Sequence, residues 1–335
     1  MKLLSRSACR VDMAGGTLDI WPLYLYHQPA CTVNFAVNIY TSCSIETRED
    51  TKLILRSDDL KFEEVYESLE ELDKAEKTRL GLHVWLLRTF RPEAGLTMTT
   101  HSESPAGAGI SGSSSLMVTA GAALNKLCKT NYSIEKLREV VQNVESQIIR
   151  VPTGAQDYYP AMYGGMAVIE FSAAGVKRMG IPVDLDDFNR RVVLAYTGEP
   201  RNSGINNWEV IKANINGDRK VQRNFDKIAT IATAMRQAVE KGDWTEAGRL
   251  LQADWDHRRR NIPTMTTEVI DRLVTVARRK GAIGARACGA GGGGCVFFLV
   301  EPDAKEQVTA VLQKEGVRIL PVTVAPQGVK VKVVQ

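Results

Sequence analysis

Residues 105–115 place a glycine- and serine-rich loop directly before a run of small residues, 116–127, that favours a helix. Glycines at positions 107, 109 and 112 allow backbone N–H groups to turn inward, because no Cβ atom stands in the way. The start of a helix adds unpaired amides and the positive end of a dipole. We therefore predict a polyphosphate cradle, formed by Pro105, Gly107, Ala108, Gly109, Ile110, Ser111, Gly112, Ser113, Ser114 and Ser115.

Other interpretations compete for this segment. The spacing of Gly107 and Gly112 imitates a Walker loop, but Ser113 stands where that motif has its phosphate-binding lysine. The three glycines also satisfy the GxGxxG dinucleotide fingerprint, yet the acidic residue near the required distance, Glu135, lies in a polar helical stretch. A serine-capped helix with a flexible lead-in stays open as the structural alternative.

A second glycine loop occupies residues 289–294, just before the apolar strand pattern at 295–300. So many glycines cost conformational entropy unless the backbone must approach something closely, and a plain hairpin turn needs far fewer. Two glycine loops far apart in sequence therefore predict two walls around one ligand. We assign Gly291 and Gly292 to substrate binding.

The third informative segment, residues 10–19, reads Arg-Val-Asp-Met-Ala-Gly-Gly-Thr-Leu-Asp. Arg10 is a planar, permanently charged donor suited to phosphate, and the Asp19 carboxylate can accept hydrogen bonds from sugar hydroxyls. An ordinary turn with a surface ion pair stays open as the structural alternative.

A fourth segment, residues 153–157, reads Thr-Gly-Ala-Gln-Asp and follows the helical stretch 134–149, which contains Glu145. A glycine-positioned aspartate and an upstream glutamate can supply the carboxylates of a magnesium-dependent phosphoryl-transfer site. Asp157 and Glu145 are the candidates for these two positions.

Together these segments resemble the GHMP kinases, a family named for galactokinase, homoserine kinase, mevalonate kinase and phosphomevalonate kinase. The resemblance spans almost the whole chain: family motifs one, two and three resemble residues 10–19, 105–116 and 284–296. Sugar 1-kinases of the D-glycero-D-manno-heptose 7-phosphate kinase and fucokinase type are the most similar group. Their further signatures resemble Gln156-Asp157 with Gly164-Gly165, and residues 197–203, which read Thr-Gly-Glu-Pro-Arg-Asn-Ser.

The resemblance implies an α+β fold with two lobes. Residues 1–190 would form an ATP-binding N-terminal lobe similar to ribosomal protein S5 domain 2, and residues 191–335 a ferredoxin-like C-terminal lobe. The length of 335 residues agrees with two lobes, because it exceeds what one hydrophobic core usually holds.

The resemblance also implies ATP and Mg²⁺ as cofactors and assigns residues to tasks. Asp157 and Arg10 would be catalytic, and Ser114 with Glu145 would hold the metal. Substrate would be bound by Asp19, Gly15, Gly16, Thr17, Arg201, Ser203, Gly291 and Gly292. Arg201 and Ser203 would contact sugar hydroxyls or a distal phosphate.

The chain departs from the family pattern at three places. One is the segment 18–22, which reads Leu-Asp-Ile-Trp-Pro where heptose kinases usually have Gly-Thr-Asp-Leu-Pro. Ser111 follows Ile110 where motif two usually has glycine, so both Ser113 and Ser114 stay candidates for the metal. Gly16-Thr17 replaces the Glu-His pair of galactokinases, which disfavours galactose. The expected function is a kinase for the anomeric hydroxyl of a sugar, with D-glycero-D-manno-heptose 7-phosphate as leading substrate. A kinase for fucose, galactose, a uronic acid or mevalonate, and a nonenzymatic sugar or nucleotide sensor, stay open.

Composition excludes several partners. The net charge of +4 is too small and too scattered to favour nucleic acid, and the cluster Arg258-Arg259-Arg260 is interpreted as a solvated helix face. Six cysteines without a CxxC pair indicate reduced thiols. With neither a signal-peptide pattern nor an apolar run of membrane-spanning length, we expect a cytoplasmic enzyme without membrane contact. The sequence does not fix the oligomeric state, and a homodimer stays open.

Periodicity predicts the elements between these motifs. Strands are expected within 31–57 and at 165–171, 191–196, 295–300 and 329–334. Helices are expected at 61–90, 134–149 and through most of 221–280. Trp255 is expected in the core rather than as a stacking platform.

Overall fold

The computed structural model describes residues 1–200 and 205–334, which form two β-sheets and the helices that flank them. The strands are β1 (Lys2–Ala14), β2 (Ala30–Thr47), β3 (Leu53–Ser57), β4 (Phe62–Tyr66), β5 (Leu96–Ser102), β6 (Met166–Ser172), β7 (Gly175–Gly180), β8 (Val192–Tyr196), β9 (Ala282–Ala287), β10 (Cys295–Val300), β11 (Arg318–Leu320) and β12 (Lys330–Val334). The helices are α1 (Leu23–Tyr26), α2 (Leu69–Lys74), α3 (Gly81–Phe90), α4 (Gly112–Leu127), α5 (Ile134–Ile149), α6 (Tyr159–Tyr163), α7 (Leu185–Asn189), α8 (Ile205–Ile215), α9 (Arg219–Glu240), α10 (Trp244–Asn261), α11 (Glu268–Arg278) and α12 (Lys305–Lys314).

The first sheet is built around β2, whose 18 residues are long enough to pair with three other strands. Its first residues pair with β6, its last residues pair with β5, and β1 runs antiparallel along most of its length. The strand order is β12-β1-β2-β5-β3-β4, and β6 and β7 continue from β2 as a side branch. Arg10 in β1 thereby lies in the middle of the sheet.

Buried hydroxyl groups hold the start of α4 against this sheet. The Ser115 hydroxyl lies 2.9 Å from the Ser7 hydroxyl and 2.8 Å from the Thr41 hydroxyl, and Thr41 also lies 2.7 Å from the Thr119 hydroxyl. Each hydroxyl can donate and accept, so these groups satisfy one another without water. The first turn of α4 is therefore fixed in position above β1 and β2.

The second sheet has the order β11-β8-β10-β9, with every neighbouring pair antiparallel. Helices α8 to α11 connect β8 to β9, and α12 connects β10 to β11. This β-α-β-β-α-β arrangement confirms the ferredoxin-like lobe that the resemblance implies.

The two sheets share an apolar core. The Phe35 ring of β2 lies 4.9 Å, centroid to centroid, from Phe188 and 5.5 Å from Phe297 of β10. The same core includes residues of α9 and α10, and Trp255 is fully buried in a neighbouring core as expected. The lobe boundary at residue 190 stays a prediction; the sheets separate between β7 and β8, and β12 returns to the first sheet beside β1.

Most of the expected elements are confirmed, and one is wrong. Residues 61–90 do not form a single helix, because β4 pairs with β3 before α2 and α3 begin. In the structure the side chains of β4 alternate between more and less buried positions, but its sequence Phe-Glu-Glu-Val-Tyr does not alternate between apolar and polar residues and so gives no strand signal. Sequence periodicity also failed to locate β1, β5 and β9.

Within residues 1–200 and 205–334, no helix combines the length and the apolar character that a membrane crossing needs.

Helix α10 and strand β9 approach each other through two glycines. A Cβ atom on Gly284 would lie 2.0 Å from the Gly248 carbonyl oxygen, and one on Gly248 would lie 2.4 Å from the Ile283 side chain. Real Cβ atoms do not approach other atoms so closely, so only glycine permits this contact. The contact fixes the position of α10 relative to the second sheet.

We predict that Gly284→Ala lowers the free energy of unfolding by about 1–3 kcal/mol, because the methyl group must push α10 away from β9. Urea denaturation measures the change. Gly81→Ala is the matched control, because its Cβ atom would meet only Ile148, at 3.8 Å, at the start of α3. Equal stability of the two variants would contradict the close-contact argument.

Candidate active site

The described residues enclose a cavity of about 480 Å³ where the two lobes meet. Its walls come from β1 and the turn after it, the start of α4, the segment 149–157, α8, α10 and the second glycine loop. The predicted site residues that line it are Arg10, Thr17, Asp19, Ser111, Ser113, Ser114, Glu145 and Asp157. Segments far apart in sequence therefore converge on one cavity.

Arg10 is the buried cation of this cavity that holds Asp157. Its Nε and Nη2 atoms donate to the same Asp157 oxygen, over 2.9 and 2.5 Å, and its Nη1 donates to Asp12 over 2.9 Å. Burial alone would lower the pKa of Arg10, but Asp157 and Asp12 outweigh burial and raise it above its ordinary value. The guanidinium therefore stays charged and rigidly oriented.

Asp157 closes a short 3₁₀ turn, Ala155–Asp157, and its side chain keeps 26% of its surface exposed to the cavity. Gly154 precedes this turn because no other residue fits: a Cβ atom there would lie 1.9 Å from an Asp19 oxygen. The turn thus brings the two predicted carboxylates, Asp157 and Asp19, to the same part of the cavity.

Asp19 is buried, and no guanidinium group within residues 1–200 and 205–334 lies at hydrogen-bond distance from it. Its carboxyl group accepts hydrogen bonds from the Gln156 backbone N–H over 3.2 Å and from the Gln156 side chain over 3.4 Å. Burial, and next the negative charge of Asp157, raise the pKa of Asp19 to about 7. Asp19 is therefore a group that exchanges its proton near neutral pH.

The first glycine loop has the backbone conformation that its sequence predicts. Gly107 and Gly109 have positive φ angles of 66° and 78°, and a Cβ atom on Gly109 would lie 2.5 Å from the Cys288 carbonyl oxygen. The loop is tied to the second sheet, because the Cys295 N–H donates to the Ala108 carbonyl over 2.8 Å. The two glycine loops are therefore in direct contact.

Ser111, which replaces the usual glycine of motif two, adopts the left-handed conformation with φ 59°. Helix α4 begins at the next residue, so Gly112 belongs to the helix rather than to the loop. The Ser111 hydroxyl is buried and has no hydrogen-bond partner among the described residues. The first N–H groups of α4 likewise have no acceptor within the helix. This end of the cavity therefore offers donors for an anion.

Ser113 and Ser114 lie in the first turn of α4, beside Glu145 of α5. Ser114 is buried, whereas Ser113 is exposed. Burial raises the pKa of Glu145, and the two serine hydroxyls act in the opposite direction. The Tyr158 hydroxyl donates to Glu145 over 2.6 Å and fixes its carboxyl group.

Several predicted binding residues do not face the cavity. Ser115 is fully buried, and its hydroxyl is occupied by Ser7 and Thr41. The cavity wall contains Gly289 and Ala290 instead of Gly291 and Gly292, because the latter two turn toward the backbone of Thr264 and Met265. Residues 105–110, Gly15 and Gly16 do not line the cavity either. The Gly15 N–H donates to Asp254 over 3.0 Å.

A buried charge cluster beneath the cavity was not predicted. Arg286 of β9 donates to Asp12 of β1 over 2.6 Å and to Asp254 of α10 over 2.8 Å. Burial opposes the ionisation of Asp12, but Arg286 and Arg10 lower its pKa below the ordinary value. Burial raises the pKa of Asp254 to about 6. The cluster links the first sheet, the second sheet and α10.

The interpretation of Arg258 as part of a solvated helix face is wrong. Arg258 is 4% exposed and lines the cavity, whereas Arg259 pairs with Asp271 near the surface. The signal was present in the sequence, because Leu251, Asp254 and Arg258 continue the apolar stripe of α10 at spacings of three and four residues. A charged residue on such a stripe is buried together with it.

Arg201 and Ser203 lie outside the described residues, so their contacts with substrate stay a prediction. No group of three or more His, Cys, Asp or Glu side chains forms a metal-binding cluster within residues 1–200 and 205–334.

Comparison with known proteins agrees with this architecture. The family described as "GHMP kinases N terminal domain" matches residues 74–165, and "GHMP kinases C terminal" matches residues 235–318. The D-glycero-alpha-D-manno-heptose 7-phosphate kinase of Campylobacter jejuni is 26% identical over 97% of both chains.

Two solved structures share the fold over nearly the whole length. A D-glycero-D-manno-heptose 1-phosphate kinase from Bacteroides thetaiotaomicron is 22% identical, with a TM-score of 0.79 over 99% of both chains. The galactokinase of Lactococcus lactis, solved with galactose, is also 22% identical, with a TM-score of 0.81 over 98% of this chain and 95% of that one. The protein belongs to the GHMP kinase family.

Proposed function

We propose that this GHMP kinase is an ATP-dependent sugar kinase that phosphorylates the anomeric hydroxyl of its acceptor, with D-glycero-D-manno-heptose 7-phosphate as the leading substrate. One observation carries the proposal: the Asp157–Arg10 pair shares a cavity with the serine-rich start of α4. The similarity to the Campylobacter heptose 7-phosphate kinase, which extends over nearly the full length of both chains, supports the substrate class.

ATP is placed with its phosphates at the start of α4. The left-handed residues 107, 109 and 111 turn the loop around this point, and the free N–H groups of the first helical turn are donors for phosphate oxygens. The unpartnered Ser111 hydroxyl adds a further polar group at the same place.

Mg²⁺ fits beside Glu145. Magnesium is usually held through one or two carboxylates together with phosphate oxygens and water, and here Glu145 would be the carboxylate, with Ser114 or Ser113 as the hydroxyl ligand. A bound magnesium ion would neutralise the charge that develops on the transferred phosphoryl group.

Asp157 positions the attacking hydroxyl group and accepts its proton. Phosphoryl transfer passes through a loose transition state, so alignment and charge neutralisation contribute more than covalent help. Arg10 fixes one Asp157 oxygen through two hydrogen bonds, which leaves the other carboxylate oxygen for the acceptor. Arg10 also donates to the Gly109 carbonyl over 3.1 Å, so it spans the distance from the base to the phosphate loop.

Asp19 and Thr17 bind the hydroxyl groups of the sugar ring. Both residues belong to the turn after β1 and line the cavity, and the Asp19 carboxyl group lies next to Gly154. Arg201 and Ser203 are proposed to contact sugar hydroxyls or a distal phosphate. A cytoplasmic location and a homodimer complete the proposal.

The activity is tested by ATP turnover with a panel of heptose 7-phosphate, heptose, fucose, galactose, glucuronic acid and mevalonate. We expect heptose 7-phosphate to give the highest kcat/KM, and Asp157→Asn to lower kcat about 10²- to 10⁴-fold while ATP affinity changes little, because only the charge of the base is removed.

Asp303→Asn, an exposed position in the turn Pro302–Ala304, is the control and should turn over normally. Full activity of Asp157→Asn would disprove the assignment of the base. Binding of sugar and ATP without turnover in the wild-type protein would instead identify a sensor.

The phosphate cradle is tested at Ser113, whose exposed side chain tolerates replacement. We predict that Ser113→Asp weakens ATP binding roughly 10-fold or more, because a carboxylate then faces the phosphates. Ser113→Asn introduces an uncharged side chain of the same shape as aspartate and should weaken ATP binding far less. Isothermal titration calorimetry with a nonhydrolysable ATP analogue measures both. Equal affinities of the two variants would place the phosphates elsewhere.

The raised pKa of Asp19 predicts a pH-dependent stability change. In the folded protein Asp19 keeps its proton up to about pH 7, so stability is lost as the pH rises from the ordinary carboxyl value toward 7. Asp19→Asn removes this loss, and its melting temperature should therefore exceed that of the wild type by more at pH 8 than at pH 5. The KM for sugar should rise in the same variant. A stability difference that does not change with pH would refute the protonation argument.

A further inference from the structure

Arg258 has donors that the protein does not use. Its Nη2 atom donates to the Gly289 carbonyl over 3.0 Å and lies 3.4 Å from the Thr17 hydroxyl. Its Nε and Nη1 atoms are buried and have no hydrogen-bond acceptor among the described residues. The nearest carboxylate oxygen, on Asp12, lies 3.7 Å from Nη1. A buried guanidinium with unused donors carries a desolvation cost.

The other two buried arginines of this region are fully engaged. Arg10 is held by Asp157 and Asp12, and Arg286 is held by Asp12 and Asp254. The single negative charge of Asp12 is therefore already shared by two guanidinium groups at hydrogen-bond distance. Arg258 is left without a carboxylate at hydrogen-bond distance among the described residues.

Arg258 lies beside the turn that follows β1. A Cβ atom on Gly16 would lie 3.3 Å from its Cζ atom, so the absence of a side chain at residue 16 leaves space beside the guanidinium. Thr17 and Gly16 belong to the turn that also presents Asp19. By contrast, Arg10 is the arginine that contacts the phosphate loop, through Gly109.

We propose that Arg258 binds a phosphate group carried by the acceptor sugar and thereby selects phosphorylated over unphosphorylated sugars. The inference rests on the proposed sugar kinase function. Guanidinium groups suit this task because they stay charged and can direct two N–H groups at phosphate oxygens. The phosphate oxygens of the substrate accept hydrogen bonds from Nε and Nη1, which have no acceptor among the described residues.

The test compares Arg258→Ala with the wild type, using heptose 7-phosphate and the corresponding unphosphorylated heptose as acceptors. Loss of a charge-assisted contact should raise the KM for heptose 7-phosphate roughly 10- to 100-fold more than the KM for heptose. The KM for ATP should change far less than that for heptose 7-phosphate. Arg258→Lys, which keeps the charge, should recover part of the preference for the phosphorylated sugar.

Arg259→Ala is the matched control, because Arg259 lies on the same helix and pairs with Asp271 and Asp256 outside the cavity. It should keep the wild-type preference. Thermal melting of all three variants shows whether they are folded, and a purely structural effect would move the KM values of both sugars together.

The outcomes separate the inference from the proposed function. If the wild type phosphorylates sugars but Arg258→Ala raises both KM values equally, the kinase assignment stands and the inference is overturned. A selective rise in the KM for ATP would show that Arg258 binds nucleotide phosphate, which also overturns the inference. If the wild type phosphorylates no sugar, the proposed function itself fails.

Discussion

The Asp12 carboxylate is buried where the two lobes meet, and it accepts hydrogen bonds from guanidinium groups of both. Arg10 reaches it from within the first sheet and Arg286 from the second, over 2.9 and 2.6 Å. Removing one partner of such a buried group typically costs about 3–5 kcal/mol, because the remaining charges are left uncompensated. The rotation of Arg10, and through it the orientation of Asp157, therefore depends on Asp12.

Burial raises the pKa of each buried aspartate in this region, and nearby guanidinium groups lower it. Asp12 has two guanidinium partners, and its pKa falls below the ordinary value. Burial, and next the negative charge of Asp157, raise the pKa of Asp19 to about 7. Asp254 is also buried, but Arg286 opposes the effect of burial, and the pKa of Asp254 rises to about 6. Three residues of the same type thus have three different proton affinities within one small region.

The sequence was sufficient where the backbone itself determines the structure. Gly107 and Gly109 have positive φ angles, a Cβ atom on Gly109 or Gly154 would collide with neighbouring atoms, and these glycines are visible as a pattern in the sequence. Periodicity also located β10 and the three long helices from α9 to α11. The edge strand β4 was missed, because residues 62–66 do not alternate between apolar and polar residues and are followed by a helical pattern.

The charge cluster depends on contacts between segments that are distant in sequence, and this is why it was harder to predict. Arg286 lies 274 residues from Asp12 in the sequence, and the residues around either one do not indicate that the two are in contact. Arg258 was misread for a different reason: three consecutive arginines suggest a solvated surface, although only the first continues the buried stripe of α10. The assignment of Gly291 and Gly292 to substrate binding stays a prediction; in the structure they approach the backbone of Met265 and Thr264, because glycine indicates a close approach but not what is approached.

The pairing of β12 with β1 has a consequence for the order of synthesis. A ribosome releases β12 some 300 residues after β1, so the edge of the first sheet at β1 stays uncovered until the second lobe has been synthesised. Until then β1 presents free N–H and C=O groups, the kind of edge at which nascent chains associate wrongly. For this kinase, that edge can be protected only after β12 has left the ribosome.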